Sequence, residues 1–350
     1  MSFSSFNRIP IYALDISDQS FKFLRLLDSK GGIVVENFGE GTISKGIVEN
    51  GEIKDKKKLS EILKEVFYKN NIKFVALSLP EEKGFLREIK ISGVSEGELP
   101  SALEFQIEEY IPLSVTDMFF DYTVAERGHD YFNLIVNAFP RSVVESYLDV
   151  VNLSGAFPVA IESELESVAR SVMSKDFLKT IMVVDWGKTR VSFSIFTNGI
   201  LRFASTALVG GELLETAISK NLRVSKNEAL KIKFKADIMD PKIFPEVFNV
   251  LLPILSELSG EIKKIFDYWL NRSVAKTGIE HIFLSGGDSN LFGLSEYLQR
   301  EFKIPVSLVN PWVNIKFPSK YLPPIKYKDS LRFSSVIGLS LKILKEEKIT

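Results

Sequence analysis

The feature that most constrains this sequence is a pattern that occurs twice, nearly half a chain apart. ALDISDQSFKFLRL (13–26) and VVDWGKTRVSFSIF (183–196) each run from an apolar strand into an aspartate, through a short polar turn, and into a second strand of alternating apolar residues. One such hairpin says little, because aspartate is a common turn residue. Two copies in a chain of 350 residues predict two similar lobes whose hairpin turns face each other across a cleft, and that length exceeds one ordinary core in any case. Successive backbone N–H groups in a tight turn form a concave nest for phosphate oxygens. Asp15 and Asp185, at the strand ends, are placed to hold Mg²⁺ through its retained waters. A third element, IFLSGGDSNLFGL (282–294), ends an apolar strand in Gly286 and Gly287, where a flat ligand can approach the backbone.

Composition removes several other functions. Hydrophobic residues make up 45% and charged residues 25%, which predicts a soluble intracellular globular protein. A formal net charge of −1 gives no general attraction to nucleic acid or anionic lipid, and no nucleic-acid partner is expected. The absence of cysteine rules out disulfides and thiolate metal sites. His129 and His281 stand far apart and form no triad or zinc spacing. The start, MSFSSFNRIPIYALD, is read as carrying no signal peptide, and no run of about 20 apolar residues predicts a membrane span.

Strand-like and helix-like segments alternate along the chain, which favours α/β layering. Strands are expected at 11–14, 21–27, 32–38 and 74–80, with a helix over 57–69 between the last two. Ser95 and Glu98 form a capping box, with Pro100 in the first turn. The helix they open carries Leu99, Leu103, Ile107, Tyr110 and Ile111 on one stripe and stops before Pro112. A strand pair follows around RGHD, then helices over 142–153 and 162–173. Three more strands begin after Lys179. A second capping box, Ser225 with Glu228, opens a lysine-rich helix, and a long amphipathic helix lies between Pro245 and Leu270.

The duplicated aspartate turns and the glycine-ended strand together resemble the actin, hexokinase and heat-shock-chaperone superfamily. GIVENGEIKD (46–55), ELPSALEFQIEEYIPLSVTDMFFDYTV (98–124), VAIESELESVAR (159–170), LVGGELLETAIS (208–219), GEIKKIFDYWL (260–270) and SSVIGLSLKIL (334–344) narrow the resemblance. With the two turns, they resemble the type IV pilus assembly PilM family, relatives of the cell-division protein FtsA, over nearly the whole chain. The resemblance implies an α/β actin-like ATPase fold: a first lobe over 1–178 with an inserted subdomain at about 86–160, a second lobe over 179–350, and a last helix at about 331–346 that returns to the first lobe.

It also implies ATP or ADP with Mg²⁺ as cofactor. Carried over by position, Asp15 and Asp185 are the metal-associated aspartates; Ser17, Asp18, Gln19, Ser20 and Lys22 follow the first, and Gly187, Lys188 and Thr189 the second. Gly210, Gly211, Gly286 and Gly287 border the nucleotide, Lys233 lies beside its base or ribose, and Glu162 orients an attacking water. Departures from the family pattern are Ser17 where a glycine is usual, a bulky Trp186 in the second turn, Leu230 in place of a ribose-binding glutamate, and Ser205 in place of an arginine. Nucleotide is therefore expected as a structural clasp or slow switch, with at most slow Mg²⁺-dependent hydrolysis.

The implied partner is the N-terminal cytoplasmic peptide of a PilN-like inner-membrane protein, with pilus assembly ATPases as further partners. The peptide would dock near Phe105, Tyr110, Ile111 and Pro112, holding a cytoplasmic protein at the inner membrane. Other classes the sequence leaves open are a filament-forming FtsA-like division protein, the cytoplasmic component of a type II secretion machine, and a metabolite kinase.

Overall fold

The structure is a computed structural model that describes residues 9–174, 179–240, 245–272 and 278–346. It divides into two compact units. The first runs up to Met173 and adds Trp312–Pro324 and the chain from Ser335 onward; the second comprises Ser174–Pro311 and Ile325–Ser334. The lobe boundary expected at residue 178 lies outside the described residues.

The first unit begins with strands β1 (Ile11–Ile16), β2 (Ser20–Ser29) and β3 (Gly32–Thr42), followed by a small hairpin, β4 (Val48–Glu49) and β5 (Glu52–Ile53). Helix α1 (Lys56–Asn70) starts where Asp55 accepts a hydrogen bond from the Lys58 amide and stops where Asn71 turns left-handed at φ +51°. Leu59, Leu63 and Phe67, four residues apart, form its buried face, each contributing roughly 1.5–3 kcal/mol of transfer free energy. Strand β6 (Phe74–Leu79) follows, buried along nearly its whole length.

Next come β7 (Phe85–Ser92), α2 (Leu99–Gln106), β8 (Met118–Arg127) and β9 (Tyr131–Pro140), then α3 (Arg141–Leu153), β10 (Phe157–Ser163) and α4 (Glu164–Val172). A five-stranded sheet has the order β10-β6-β1-β2-β3, and a separate three-stranded sheet has the order β7-β9-β8. In the larger sheet, β1 pairs antiparallel with β2, whereas β1–β6 and β6–β10 are parallel.

The smaller sheet has its own core, in which Ile89, Leu99, Leu103, Ile107, Ile111, Leu134 and Val136 are buried. The Ser95–Glu98 capping box forms as expected. Two expectations are corrected. Val144, Tyr147, Val150 and Val151 of α3 pack with β1, β6 and α1, so residues 141–160 join the main core and not the inserted sheet. The helix expected from Glu162 begins at Glu164, because Glu162 and Ser163 finish β10 against Ser78 and Leu79.

The second unit repeats the plan. Strands β11 (Thr180–Trp186), β12 (Val191–Thr197) and β13 (Ile200–Ala207) form an antiparallel meander, followed by helices α5 (Gly211–Leu222), α6 (Lys226–Lys235) and α7 (Pro245–Arg272). Then come β14 (His281–Ser285), α8 (Leu294–Phe302), β15 (Val306–Leu308) and α9 (Tyr327–Ser330). The sheet order β13-β12-β11-β14-β15 matches the first sheet strand for strand: an antiparallel meander, then two parallel strands.

A short 3-10 turn, Leu331–Phe333, precedes α10 (Ser334–Glu346). In the first unit α10 lies hard against α4. A Cβ on Gly338 would run into the Ser167 carbonyl, so glycine sets the approach distance of the two helices.

Candidate functional site

Each unit carries its aspartate at the end of the central strand, where the antiparallel partner begins. In the first unit, Asp15 stands opposite Lys22 in the β1–β2 register, and the ammonium lies 3.6 Å from Oδ2. Ser78, from the parallel neighbour β6, donates to Asp15 Oδ1 at 2.8 Å, and Ser335 reaches the same oxygen at 3.4 Å. Asp15 is only 5% exposed. The turn closes through the Ser17 amide donating to Ser20 O, and Ser17 keeps a negative φ, so the β-carbon where relatives have glycine strains nothing. Asp18 is also buried. Its Oδ1 accepts from the Gly51 amide, which makes it a tie to the β4–β5 hairpin. Gln19 accepts through its backbone carbonyl from the Ile43 amide, and Lys22 also reaches the Ser20 hydroxyl.

In the second unit Asp185 is half-buried and faces Ser192 across β11–β12 and Ser285 across β11–β14. Gly286, at φ +85°, lies so close that a Cβ there would stand 2.7 Å from Asp185 Oδ1 and overlap the Trp186 carbonyl. This position requires glycine on both conformational and steric grounds. Trp186 does not crowd the turn, as its bulk suggests. Side chains alternate along a strand, and Trp186 points into the core, with its indole N–H donating to Val209 O at 2.7 Å. The turn is latched to the start of α5: the Gly211 and Glu212 amides donate to Gly187 O and Lys188 O at 3.0 and 2.9 Å. Gly210 permits this, because a Cβ on it would strike the backbone at Lys188–Arg190. Lys188 is exposed and Thr189 partly so.

Lys233 does not lie on a solvated face, despite its lysine-rich surroundings. It is 1% exposed, with its Nζ 2.7 Å from Glu215 Oε1 and 2.5 Å from Asp288 Oδ1. Burial pushes the Asp288 carboxyl up, and the Lys233 ammonium opposes that shift. Glu215 and Asp288 are the site residues that sequence reasoning missed. Asp288 directly follows the glycine pair and carried a signal; Glu215, mid-helix, carried none.

Glu162 is fully engaged. Its carboxylate receives both Arg170 guanidinium nitrogens, the Ser167 hydroxyl at 2.7 Å and Lys342 at 3.3 Å. Burial alone would raise this carboxyl, but hydrogen bonding and charge from Arg170, with Lys342, outweigh it and hold it below the usual glutamate range. Nothing in this arrangement presents Glu162 to an attacking water. On α2 and the turn that follows it, Phe105 is 88% exposed, Tyr110 39%, and Pro112 is exposed, whereas Ile111 is a core residue and offers no surface.

Two α/β units of identical strand order, each with an aspartate ending its central strand, define an actin-like protein. The model of the type IV pilus assembly protein PilM family matches residues 13–344, so the chain belongs to that family, and its role lies in type IV pilus assembly. Among solved structures, it is similar to the PilM–PilN type IV pilus biogenesis complex at 18% identity, covering 96% of this chain and 98% of that one, with a TM-score of 0.79. It is also similar to MreB5 of Spiroplasma citri bound to ADP, at 14% identity, 97% coverage of each chain and a TM-score of 0.58. The cell-division protein FtsA of Neisseria meningitidis is 25% identical over 179 residues, which span 45% of this chain and only 41% of that relative. Among the described residues no helix is long and apolar enough to cross a membrane.

Proposed function

We propose that this chain is a cytoplasmic adaptor of the type IV pilus assembly machine that docks a short apolar peptide from a PilN-like inner-membrane protein and is thereby held at the membrane. The observation that carries the docking part is the exposure of Phe105 and Tyr110 on a subdomain whose own core is already complete without them. An apolar peptide covering such rings gains binding energy that solvent exposure forgoes. The similarity to a PilM–PilN complex supports this reading. Fluorescence anisotropy with a labelled partner peptide tests it: Phe105→Ser combined with Tyr110→Ser weakens binding at least about tenfold with an unchanged melting curve. Equal affinity in the double variant removes this surface from the reading.

The same reading gives the chain ATP or ADP with Mg²⁺ as a clasp. The ADP-bound relative of the same fold supports it. Among the described residues no group of three or more His, Asp or Glu side chains could cage a metal alone, which suits a cation held mainly by water and phosphate oxygens. Asp185, half-exposed at its strand end, fits such a role; Asp15, already balanced by Lys22, fits it less well. Bound Mg²⁺ would neutralise phosphate charge, while Thr189 and Lys188 offer a hydroxyl and an ammonium beside Asp185. We propose no hydrolytic step, because Glu162 has no free oxygen with which to position water. Calorimetry with ATP and Mg²⁺ tests the clasp: heat of binding from the unaltered chain is lost in Asp185→Ala. No heat from the unaltered chain, under conditions where it binds the peptide, eliminates the nucleotide and leaves the adaptor.

A further inference from the structure

The Glu215–Lys233–Asp288 cluster is out of proportion to any structural need. Three charges from α5, α6 and the turn Gly287–Asn290 are buried together with a net charge of −1, and burying ions costs free energy that apolar residues of the same size would not. The Asp288 carboxylate also lies directly over Gly211, the first residue of α5, where a Cβ would run into it. It therefore sits at the positive end of a 12-residue helix and on a buried ammonium at once, the surroundings an anion or a ligand hydroxyl would seek. Lys188 adds a further positive charge acting on Asp288. The α5 amides are meanwhile occupied by the Gly187 and Lys188 carbonyls. The Lys233 ammonium and the first α5 amides, groups that could receive the polar edge of a nucleotide, are thus satisfied from within.

We propose that Asp288 is a built-in stand-in for ligand: it holds Lys233 and lies over the first residue of α5, and an adenine nucleotide engages this unit by displacing it. The proposal rests on the nucleotide reading above and deepens it by naming the residue that sets the affinity. Lys233 exchanges one anionic partner for another group while Glu215 keeps it charged and in place. The cost of releasing Asp288 weakens nucleotide binding, and occupancy becomes responsive to concentration instead of permanent.

The test is calorimetric titration of ADP with Mg²⁺ into the full chain and into Asp288→Asn, Asp288→Ala and Lys233→Met. Asp288→Asn keeps the side-chain volume, so it decides the question if the alanine variant fails to fold. Both Asp288 variants are expected to bind at least about tenfold more tightly than the unaltered chain, and Lys233→Met more weakly. Tighter binding in Asp288→Asn with an unchanged far-ultraviolet spectrum supports the proposal. Measurable binding by the unaltered chain with equal or weaker binding in folded Asp288→Asn overturns it and leaves the nucleotide reading standing. No binding by any of the four overturns both.

Discussion

The two aspartate turns occupy the same place in the same topology, yet their surroundings diverge. Asp15 meets a cation across its hairpin, Lys22, and takes a hydrogen bond from Ser78 on the parallel neighbour. Asp185 meets Ser192 there, and the matching Ser285 directs its hydroxyl to Ser334 Oγ and Leu331 O. The first turn has become a closed, charge-balanced element of the core. The second keeps its carboxylate partly open beside a backbone stripped of side chains at Gly187 and Gly286. A duplicated motif therefore preserves backbone geometry while the cross-strand partner decides how far its acid is drawn into the core.

The largest effect that would break this comparison is on folding. Asp15→Ala strands the Lys22 ammonium and should cost roughly 3–5 kcal/mol, the range for breaking a buried pair. Asp185→Ala should cost less than about 1 kcal/mol, as expected of a half-buried strand-end residue. Urea unfolding of both variants checks it, and equal losses would erase the distinction. Arg170→Met should destabilise the first unit toward the lower end of roughly 3–5 kcal/mol, because Lys342 still faces the buried Glu162; the readout is the same denaturation series.

Next comes a pH effect confined to the first unit. Burial pushes the Glu81 carboxyl up to about 8, with the Ser163 hydroxyl bond only partly offsetting it. The folded chain then binds a proton that the unfolded chain releases near 4.5. This stability is fully present below the unfolded value and declines as pH rises toward 8, by at most about 1.4 kcal/mol per pH unit. Glu81→Gln should flatten the decline when melting temperature is followed across that window. The smallest effect is Ser17→Gly, which should lower stability by about 0.4–1 kcal/mol through unfolded-state entropy and leave nucleotide affinity as it was. A gain in affinity would show that the serine does narrow the turn.

Much of this was legible in the sequence because it is local. The two hairpins, both capping boxes, the stripe Leu99–Leu103–Ile107–Ile111 and the glycine pair follow from spacing alone. Strand β10 was not, because a parallel strand buried among its neighbours shows no alternation and Pro158 argues against a strand. Trp186 was misjudged as an obstruction because its position in the turn was visible and the face it points to was not. Lys233 stands in a lysine-rich helix, and only the fold brings it between acids 18 residues before it and 55 after.

By itself the sequence determined the duplication, the α/β class and the positions of the strand-end acids, since hydrophobic period and turn chemistry act over a few residues; the family came from the resemblance of its motifs. Only the tertiary structure decided how each acid is held. Asp15, Asp18, Glu162 and Asp288 are each committed to a partner, and most of those partners lie dozens to hundreds of residues away. The strength of a charge depends on what burial brings within hydrogen-bonding distance of it, and no local pattern encodes that distance.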